Sequence, residues 1–401
     1  MNPIYFQKMK SISKNQTHSK ESFLYIISKV SERASYYGIR SFLVLYMIET
    51  LRLNEDEAFK AYGIFASSIV ASQIIGAFLG DLLIGNRRGI IIGGIIQFIG
   101  TLLLLFPSSL VFYIALGLIS LGSGLFAPNL LSQFGKLYLN KKEIMDGAFT
   151  SFYTSINLGA LIGASALVFL ASDNHILGFI ISTVLMLVSI FISLQIDSKN
   201  EEQGYAYLPN NINKKILRII AAVLLSASFW YFFNSYSDRF YQITSNLGKS
   251  STFSELAFLN SLNAVFVLPI GILFSIIWSF YYLGAKIKIS FGFLLLAIAM
   301  SVYAFIGESI PNLIVSSLLI TLAENLISPI LLSVVTKNTN PKYLTLTQTL
   351  LLLPSFLITA AFTNGYILPD YFKTSIALAT LIGISLLVVI YLNKKKSIPS
   401  F

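Results

Sequence analysis

Lys29-Val-Ser-Glu-Arg-Ala-Ser-Tyr-Tyr-Gly-Ile-Arg40 leads directly into the apolar run Ser41-Phe-Leu-Val-Leu-Tyr-Met47, which places four charged residues at the start of a hydrophobic segment. In a bilayer such charges are costly, and those that persist face a protein interior or a cavity and do work there. The rest of the chain fits that setting. Of its 401 residues 55% are hydrophobic and 11% charged, with a mean hydropathy of +0.74, too apolar for a globule with an ordinary polar surface. The expected fold class is all-α integral membrane.

A spanning helix needs about 20 apolar residues, and polar breaks divide the chain into twelve such runs. The first covers 22–48 and is followed by an acidic loop, 49–60, with Glu55, Asp56 and Glu57. The second, 61–84, ends in the tight turn Gly85-Asn-Arg87-Arg88. Pro107-Ser-Ser separates the third from the fourth, which closes near Lys136, and the fifth and sixth fill 149–196 around Ser172-Asp-Asn-His. Composition shifts once, at 197–213, where Ser, Asn, Glu and Gln gather; this reads as a linker. Six further runs follow at 216–236, 256–283, 287–306, 313–335, 344–366 and 372–392. The expected domains are an N-terminal tail, 1–21; a six-helix bundle, 22–196; the linker; a second six-helix bundle, 214–393; and a tail, 394–401.

The formal net charge of +10 has a topological explanation and needs no nucleic acid. With twelve spans, Arg87/Arg88, Lys141/Lys142, Lys214/Lys215, Lys286/Lys288, Lys337/Lys342 and Lys394 to Lys396 all fall on the side of the N-terminal lysines. The alternate loops hold Glu55 to Glu57, Asp173, Glu308 and Asp370. Cytoplasmic loops carry the excess of Lys and Arg, so both termini are expected in the cytoplasm. The tail lacks the apolar stretch and cleavage site of a signal peptide. Cysteine is absent, and His18 and His175 stand apart in the tail and an outer loop. No disulfide, thiol nucleophile, metal cluster or cofactor is therefore expected, and both histidines read as bystanders.

Six spans, a linker and six spans match the two-halves layout of major facilitator transporters, whose substrate site lies near the midplane between the halves. Gly76-Ala-Phe-Leu-Gly-Asp81-Leu-Leu-Ile-Gly85-Asn-Arg87-Arg88 resembles the loop motif of that superfamily. Its glycines permit close helix packing and a sharp turn, and Asp81 can pair with a cation or cap a helix. A narrower resemblance runs through most of the chain. Glu32-Arg33-Ala-Ser-Tyr36-Tyr37-Gly38-Ile-Arg40, Gly124-Leu-Phe-Ala127-Pro128-Asn129 and Phe152-Tyr153-Thr-Ser-Ile156-Asn157-Leu-Gly159 look like signature segments of the proton-dependent oligopeptide transporter (POT) family. Phe229-Trp230-Tyr-Phe-Phe233-Asn234, Ser261-Leu262-Asn263 and the segment from Glu324 through Ser328-Pro329 to Lys337 resemble its spans seven, eight and ten.

What this resemblance implies can be set beside the chemistry of a peptide. A zwitterion presents a carboxylate and an ammonium, so its site needs cations on one wall and an anion with amide acceptors on the other. Arg33 and Arg40, about two helical turns apart with Tyr37 between them, are similar to the family's carboxylate-side residues. Glu324, Asn263 and Asn157 are similar to its amino-end residues, and Trp230, Asn234 and Ser328 fall on the matched segments. Glu32 and Glu324 are the proton-coupling candidates, since burial and a breakable ion pair can move a carboxyl group's titration between states. The chain also departs from the family. Lys29 replaces a Glu, Ala127 a span-four Lys, Asn234 a Glu and Val70 a span-two Tyr. Losing the span-four cation while gaining Lys29 suggests that Lys29 takes over part of the missing role and leaves the cavity more positive.

Together these readings imply a secondary active transporter that imports di- or tripeptides or peptide-like solutes by proton symport and alternating access. It is expected in a cell inner or plasma membrane, as a multi-pass monomer whose partners are the peptide, protons and the lipid bilayer. The alternative is a carrier of the same fold, with altered or absent proton coupling, for an anionic metabolite, amino acid or siderophore, or an exporter. A polytopic membrane enzyme would need a nucleophile or metal constellation that the sequence does not offer.

Overall fold

Asn54 starts the second helix with a capping box. Its side chain accepts from the Glu57 backbone N–H at 2.8 Å, and the Glu57 carboxylate accepts from the Asn54 N–H at 3.3 Å. Acidic side chains favour the positive end of a helix dipole, so Glu55, Asp56 and Glu57 form the first turn of the helix rather than the loop expected at 49–60. The computed structural model describes residues 10–11, 16–167, 169, 174–196, 211–247, 253–307, 309–363 and 372–396.

Twelve α-helices lie among the described residues. In the first half they are α1 Lys20–Glu49, α2 Glu55–Leu79, α3 Asn86–Leu103, α4 Ser109–Lys136, α5 Met145–Leu161 and α6 His175–Gln195. In the second half they are α7 Ile212–Leu247, α8 Phe253–Phe280, α9 Ala285–Ser301, α10 Ile310–Asn338, α11 Leu344–Thr363 and α12 Phe372–Lys396. Single π-helical turns at Gly80–Ile84, Ile162–Ala166 and Val302–Ile306 extend α2, α5 and α9. Two short strands, β1 Lys10–Ser11 and β2 Tyr281–Tyr282, pair antiparallel. Nine of the helices are long and apolar enough to cross a membrane.

Two boundaries differ from expectation for local reasons. Helix α7 continues past 236 to Leu247, because polar side chains of its last turns satisfy one another: Gln242 Nε2 donates to Asp238 Oδ2 at 2.9 Å and Arg239 Nη1 to Gln242 Oε1 at 3.3 Å, the i,i+3 and i,i+4 spacings that support a helix. His175 is not a loop residue. It begins α6, whose N-cap Asn174 accepts from the Ile176 and Leu177 backbone. Most of the expected linker, at 197–210, and most of the N-terminal tail lie outside the described residues.

Small residues let the helices of the first half touch backbone to backbone, as membrane packing favours. A Cβ on Gly76 would overlap the Gly124 carbonyl, and one on Gly124 would overlap the Ser72 backbone, so α2 and α4 are in direct main-chain contact. The two halves meet along α5 and α8, where Gly147 packs against Ser275 and Ser279, and Gly271 against Thr154. They also meet where Asp81, in the π-helical turn that extends α2, reaches the start of α11. One end of the bundle carries Lys141, Lys142, Lys214, Lys337 and Lys342 and the start of α1; it is called the basic end below. The cross-seam hydrogen bonds between described residues lie at that end or at mid-bundle.

Candidate solute site and seam

Lys29, Glu32 and Arg33 form an ion triad inside α1. Lys29 Nζ lies 3.0 Å from Glu32 Oε2, Arg33 Nε donates to the same oxygen at 2.6 Å, and Arg33 Nη2 reaches Oε1. Glu32 is 0% and Lys29 3% exposed; charges so deeply placed persist only when partners and hydrogen bonds offset their desolvation. Arg33 Nη2 also donates to Ser123 Oγ at 3.3 Å. Ser123 sits one turn before Ala127 on α4, so the triad faces the helix on which the family's lysine is missing. Lys29 is thereby the second cation on Glu32.

Arg40 takes a different partner. Its Nε donates to the Tyr62 hydroxyl at 2.8 Å and its Nη2 reaches the same oxygen. The Arg40 guanidinium lies 5.7 Å from the rings of Tyr36 and Tyr37 and 5.4 Å from that of Tyr62, while Arg33 lies 4.8 Å from Tyr36. These are cation–π distances, and they put Tyr36 between both arginines. No carboxylate among the described residues forms an ion pair with Arg40. Tyr36 and Tyr62 were not among the residues expected at the site. Tyr62 stands two turns before Val70 on the same face of α2, so α2 does present a tyrosine to α1, from a position that motif matching passed over.

Across the seam, Glu324 on α10 is 5% exposed and accepts hydrogen bonds from the Tyr153 hydroxyl of α5 and from Asn263 Nδ2 at 3.2 Å. Asn263 also donates to Thr321 Oγ1 at 3.3 Å. No cation among the described residues lies within ion-pair distance of Glu324, in contrast to Glu32. Ser328 is one turn further along α10, beside the Tyr153 hydroxyl, and Tyr37 is within electrostatic reach of the same hydroxyl. Tyr153 therefore ties α5 of the first half to the α10 wall.

The remaining expected residues are less direct. Asn157 donates to the Tyr153 carbonyl at 3.2 Å, one turn along its own helix, and does not bond Glu324. Asn234 likewise donates back to the Trp230 carbonyl at 2.8 Å, and Trp230 stacks with Phe229 and Phe233. A cavity of about 340 Å³, lined by Phe233, Tyr236, Phe240, Asn263 and Ser317, lies on the side of Glu324 away from the basic end. Among the described residues no His, Asp or Glu cluster could hold a metal ion.

The basic end is shut by Lys288 and Lys337, which the sequence places among the loop charges, and by Asp146, which the sequence does not single out. Asp146, at the start of α5, takes Lys288 Nζ of α9 at 2.7 Å, Lys337 Nζ of α10 at 2.6 Å and Ser333 Oγ at 2.5 Å. Asp146 and Lys288 are each 1% exposed, and Lys288 Nζ also lies 3.9 Å above the Trp278 ring. Asp81 caps a helix: Oδ2 accepts from the Leu346 N–H at the start of α11 at 2.8 Å, and Oδ1 from Asn86 Nδ2 at 3.2 Å. Gly85 turns the chain at φ +84°, a region open to glycine. Arg87 donates to the Ser193 and Leu194 carbonyls at the end of α6, while Arg88 is exposed.

Twelve helices in two halves, with charged and polar side chains buried along the seam, define an integral membrane protein of the major facilitator fold. Residues 87–195 match the family described as PTR2, POT family. Dipeptide and tripeptide permease B of Photorhabdus luminescens is 40% identical over 145 residues, 35% of this chain and 30% of that protein. Dipeptide and tripeptide permease A of Serratia proteamaculans is 27% identical over 255 residues, 62% of this chain and 50% of that protein. The chain thus matches less than a third of the first relative's length and half of the second's. A crystal structure of the peptide transporter POT in complex with sulfate has a TM-score of 0.61 at 23% identity, covering 95% of this chain and 96% of that one. A POT family transporter in complex with 5-aminolevulinic acid has a TM-score of 0.57 at 19% identity, covering 92% and 96%. Residues 87–195 thus match the POT family model, and over nearly its whole length the chain has the fold seen in solved POT transporters.

Proposed function

We propose that this protein is a secondary transporter that imports di- or tripeptides or peptide-like solutes by proton symport. The observation that carries the reading is the pairing of opposite walls: Arg33 and Arg40 with their tyrosines on α1, against Glu324 on α10 with no cation of its own. A peptide carboxylate would meet Arg40 and Tyr62, and its ammonium would meet Glu324 and Asn263. The names of the relatives, dipeptide and tripeptide permeases, point to the same solute class. Glu324 is the better proton carrier of the two candidates. A buried carboxylate without a counter-ion is costly to leave charged, so a proton or a substrate ammonium can take turns there, whereas Glu32 is already held by two cations.

The positive-inside rule makes the basic end cytoplasmic. Closure at that end by Asp146 and Asp81, with the cavity on the opposite side of Glu324, corresponds to an outward-facing state of alternating access in a plasma or inner membrane. A monomer contains every residue that this scheme uses. Proteoliposome uptake of a radiolabelled dipeptide, with and without an inward proton gradient, tests both parts. Uptake that the gradient stimulates supports symport; uptake indifferent to the gradient removes it. A second reading rests on the missing carboxylate partner of Arg40: a more anionic solute would suit that wall, and uptake of an anionic solute in place of any di- or tripeptide would select it.

A further inference from the structure

The N-terminal segment crosses the seam at the basic end. His18 Nδ1 lies 2.8 Å from the Tyr138 hydroxyl, and His18 Nε2 lies 2.8 Å from Ser279 Oγ. Tyr138 follows α4 in the first half, and Ser279 belongs to the last turn of α8 in the second. A single imidazole is therefore hydrogen-bonded to both halves at once. Beside it, Lys141 Nζ donates to the Thr17 carbonyl at 2.9 Å, and the His18 and Tyr138 rings meet edge to face at 5.6 Å. Nearer the terminus, β1 pairs with β2 just after α8, Lys10 opposite Tyr282 and Ser11 opposite Tyr281. The solute site uses none of these contacts.

We propose that residues 16–19 act as a strap that keeps the basic end closed, with His18 as the pin joining the two halves and the pairing of Lys10–Ser11 with β2 as a separate attachment at the same end. Opening this end moves α5 and its preceding loop away from α8, and one ring cannot follow both. Each opening therefore breaks at least one His18 bond, in addition to the contacts of Asp146.

The pin responds to acid. Ser279 Oγ donates to the Ser275 carbonyl at 2.6 Å and so accepts from His18 Nε2–H, whereas the Tyr138 hydroxyl can donate or accept, so an imidazolium could keep both bonds by donating twice. Its obstacle is electrostatic. Burial and the Lys141 ammonium hold His18 below the ordinary imidazole value of 6.5, while burial pushes the Tyr138 hydroxyl up to about 12 and keeps it neutral. The groups facing the ring are Tyr138 and Lys141 from the stretch between α4 and α5 and Ser279 from α8, none of them negatively charged. A released His18 binds a proton more readily than a docked one, so docking is at full strength above 6.5 and weakens as pH falls through the docked value. Acid on this side loosens the strap and favours the open state.

The chain has no native cysteine, which suits a distance measurement. Spin labels at Lys142→Cys and Lys286→Cys, both exposed and on opposite halves, would be read by pulsed electron paramagnetic resonance in nanodiscs. Losing one such hydrogen bond predicts that His18→Ala raises the ratio of long to short distance about fivefold at neutral pH. Acidification to about pH 5.5 is expected to raise it in the parent and to add little in His18→Ala. Ser279→Ala removes only the second-half partner and is expected to reproduce the shift, which serves if His18→Ala folds poorly. Identical distance distributions in the parent and both variants overturn the strap, and an equal acid response in parent and His18→Ala overturns the pin. The readout is a distance within the protein, so it stands whatever solute is carried.

Discussion

The Tyr153 hydroxyl of α5 donates to the Glu324 carboxylate of α10, so a buried acid that has no cation partner among the described residues is held by the first half. That bond ties the charge state of Glu324 to the seam. While Glu324 is ionised it attracts the hydroxyl and Asn263 strongly; once neutral, it holds them less, since hydrogen bonds to charged groups are the stronger kind. Glu324→Gln mimics the neutral state permanently. Its expected outcome is loss of gradient-driven uptake by about 10-fold or more, with solute exchange at equal pH retained at saturating solute but at a raised KM, because the ammonium loses its anionic partner. Tyr153→Phe removes one bond to a charged group and should lower kcat/KM about 10-fold. Uptake and counterflow in proteoliposomes separate the two effects, and equal loss of both in Glu324→Gln would contradict a coupling role.

Arg40 is expected to bind the carboxylate end of the solute through its planar fork, held in place by Tyr62 and the faces of Tyr36 and Tyr37. Lysine keeps the charge but neither the fork nor the stacking. Arg40→Lys should therefore raise KM about 10-fold with little change in kcat, and Tyr62→Phe, which leaves the guanidinium present but less well placed, about 3-fold. A solute lacking its carboxylate should not distinguish these variants from the parent.

The architecture and the α1 charge row were legible in the sequence because each rests on a strong local signal. Long apolar runs with basic loops on alternate sides give the helices, and Glu32, Arg33 and Arg40 are conspicuous inside an apolar segment. The capping box at Asn54 was equally readable, yet three acids were assigned to a loop since apolarity alone marked the spans. Tyr62 stayed hidden because the motif named position 70, and only the facing geometry of α1 and α2 shows that a tyrosine two turns away meets the same arginine. Asp146, Lys288 and Lys337 lie far apart in the chain. Their meeting depends on how the two halves close, which no local pattern encodes. His18 was passed over for the same reason: a histidine in a polar tail carries no sign of the two hydroxyls that later flank it.

Asp146 offers a stability test. Removing one member of a buried ion pair leaves the other charge uncompensated, a loss of about 3–5 kcal/mol. Asp146→Asn strands Lys288, which is 1% exposed, more severely than Lys337, at 19%. A clear fall in melting temperature is expected for Asp146→Asn, with partial recovery when Lys288→Met is added and less recovery with Lys337→Met. The coupling energies of the two double-mutant cycles measure this order directly. Recovery by Lys337→Met alone would mean that the less deeply buried lysine carries the burden.

Lys29 carries the last prediction, because it holds the largest change of charge on the α1 wall. Lys29→Glu would place a second carboxylate one turn from Glu32 with Arg33 as the sole cation near both, and like charges in a buried site repel strongly. Transport should be lost. Arg33 already reaches Ser123 on α4, so a lysine introduced at position 127, one turn on, enters the same neighbourhood and restores the balance. Lys29→Glu combined with Ala127→Lys should regain a substantial part of uptake, whereas Ala127→Lys alone should lose activity by overloading the site with positive charge. Lys29→Met separates substitution from mere support: it leaves the Glu32–Arg33 pair intact and should retain clearly more uptake than Lys29→Glu if Lys29 is a helper of that pair. If Lys29→Met is as inactive as Lys29→Glu and the double variant shows no rescue, Lys29 acts on the solute or on Glu32 in its own right, and the idea that it replaces a lost cation on α4 is wrong.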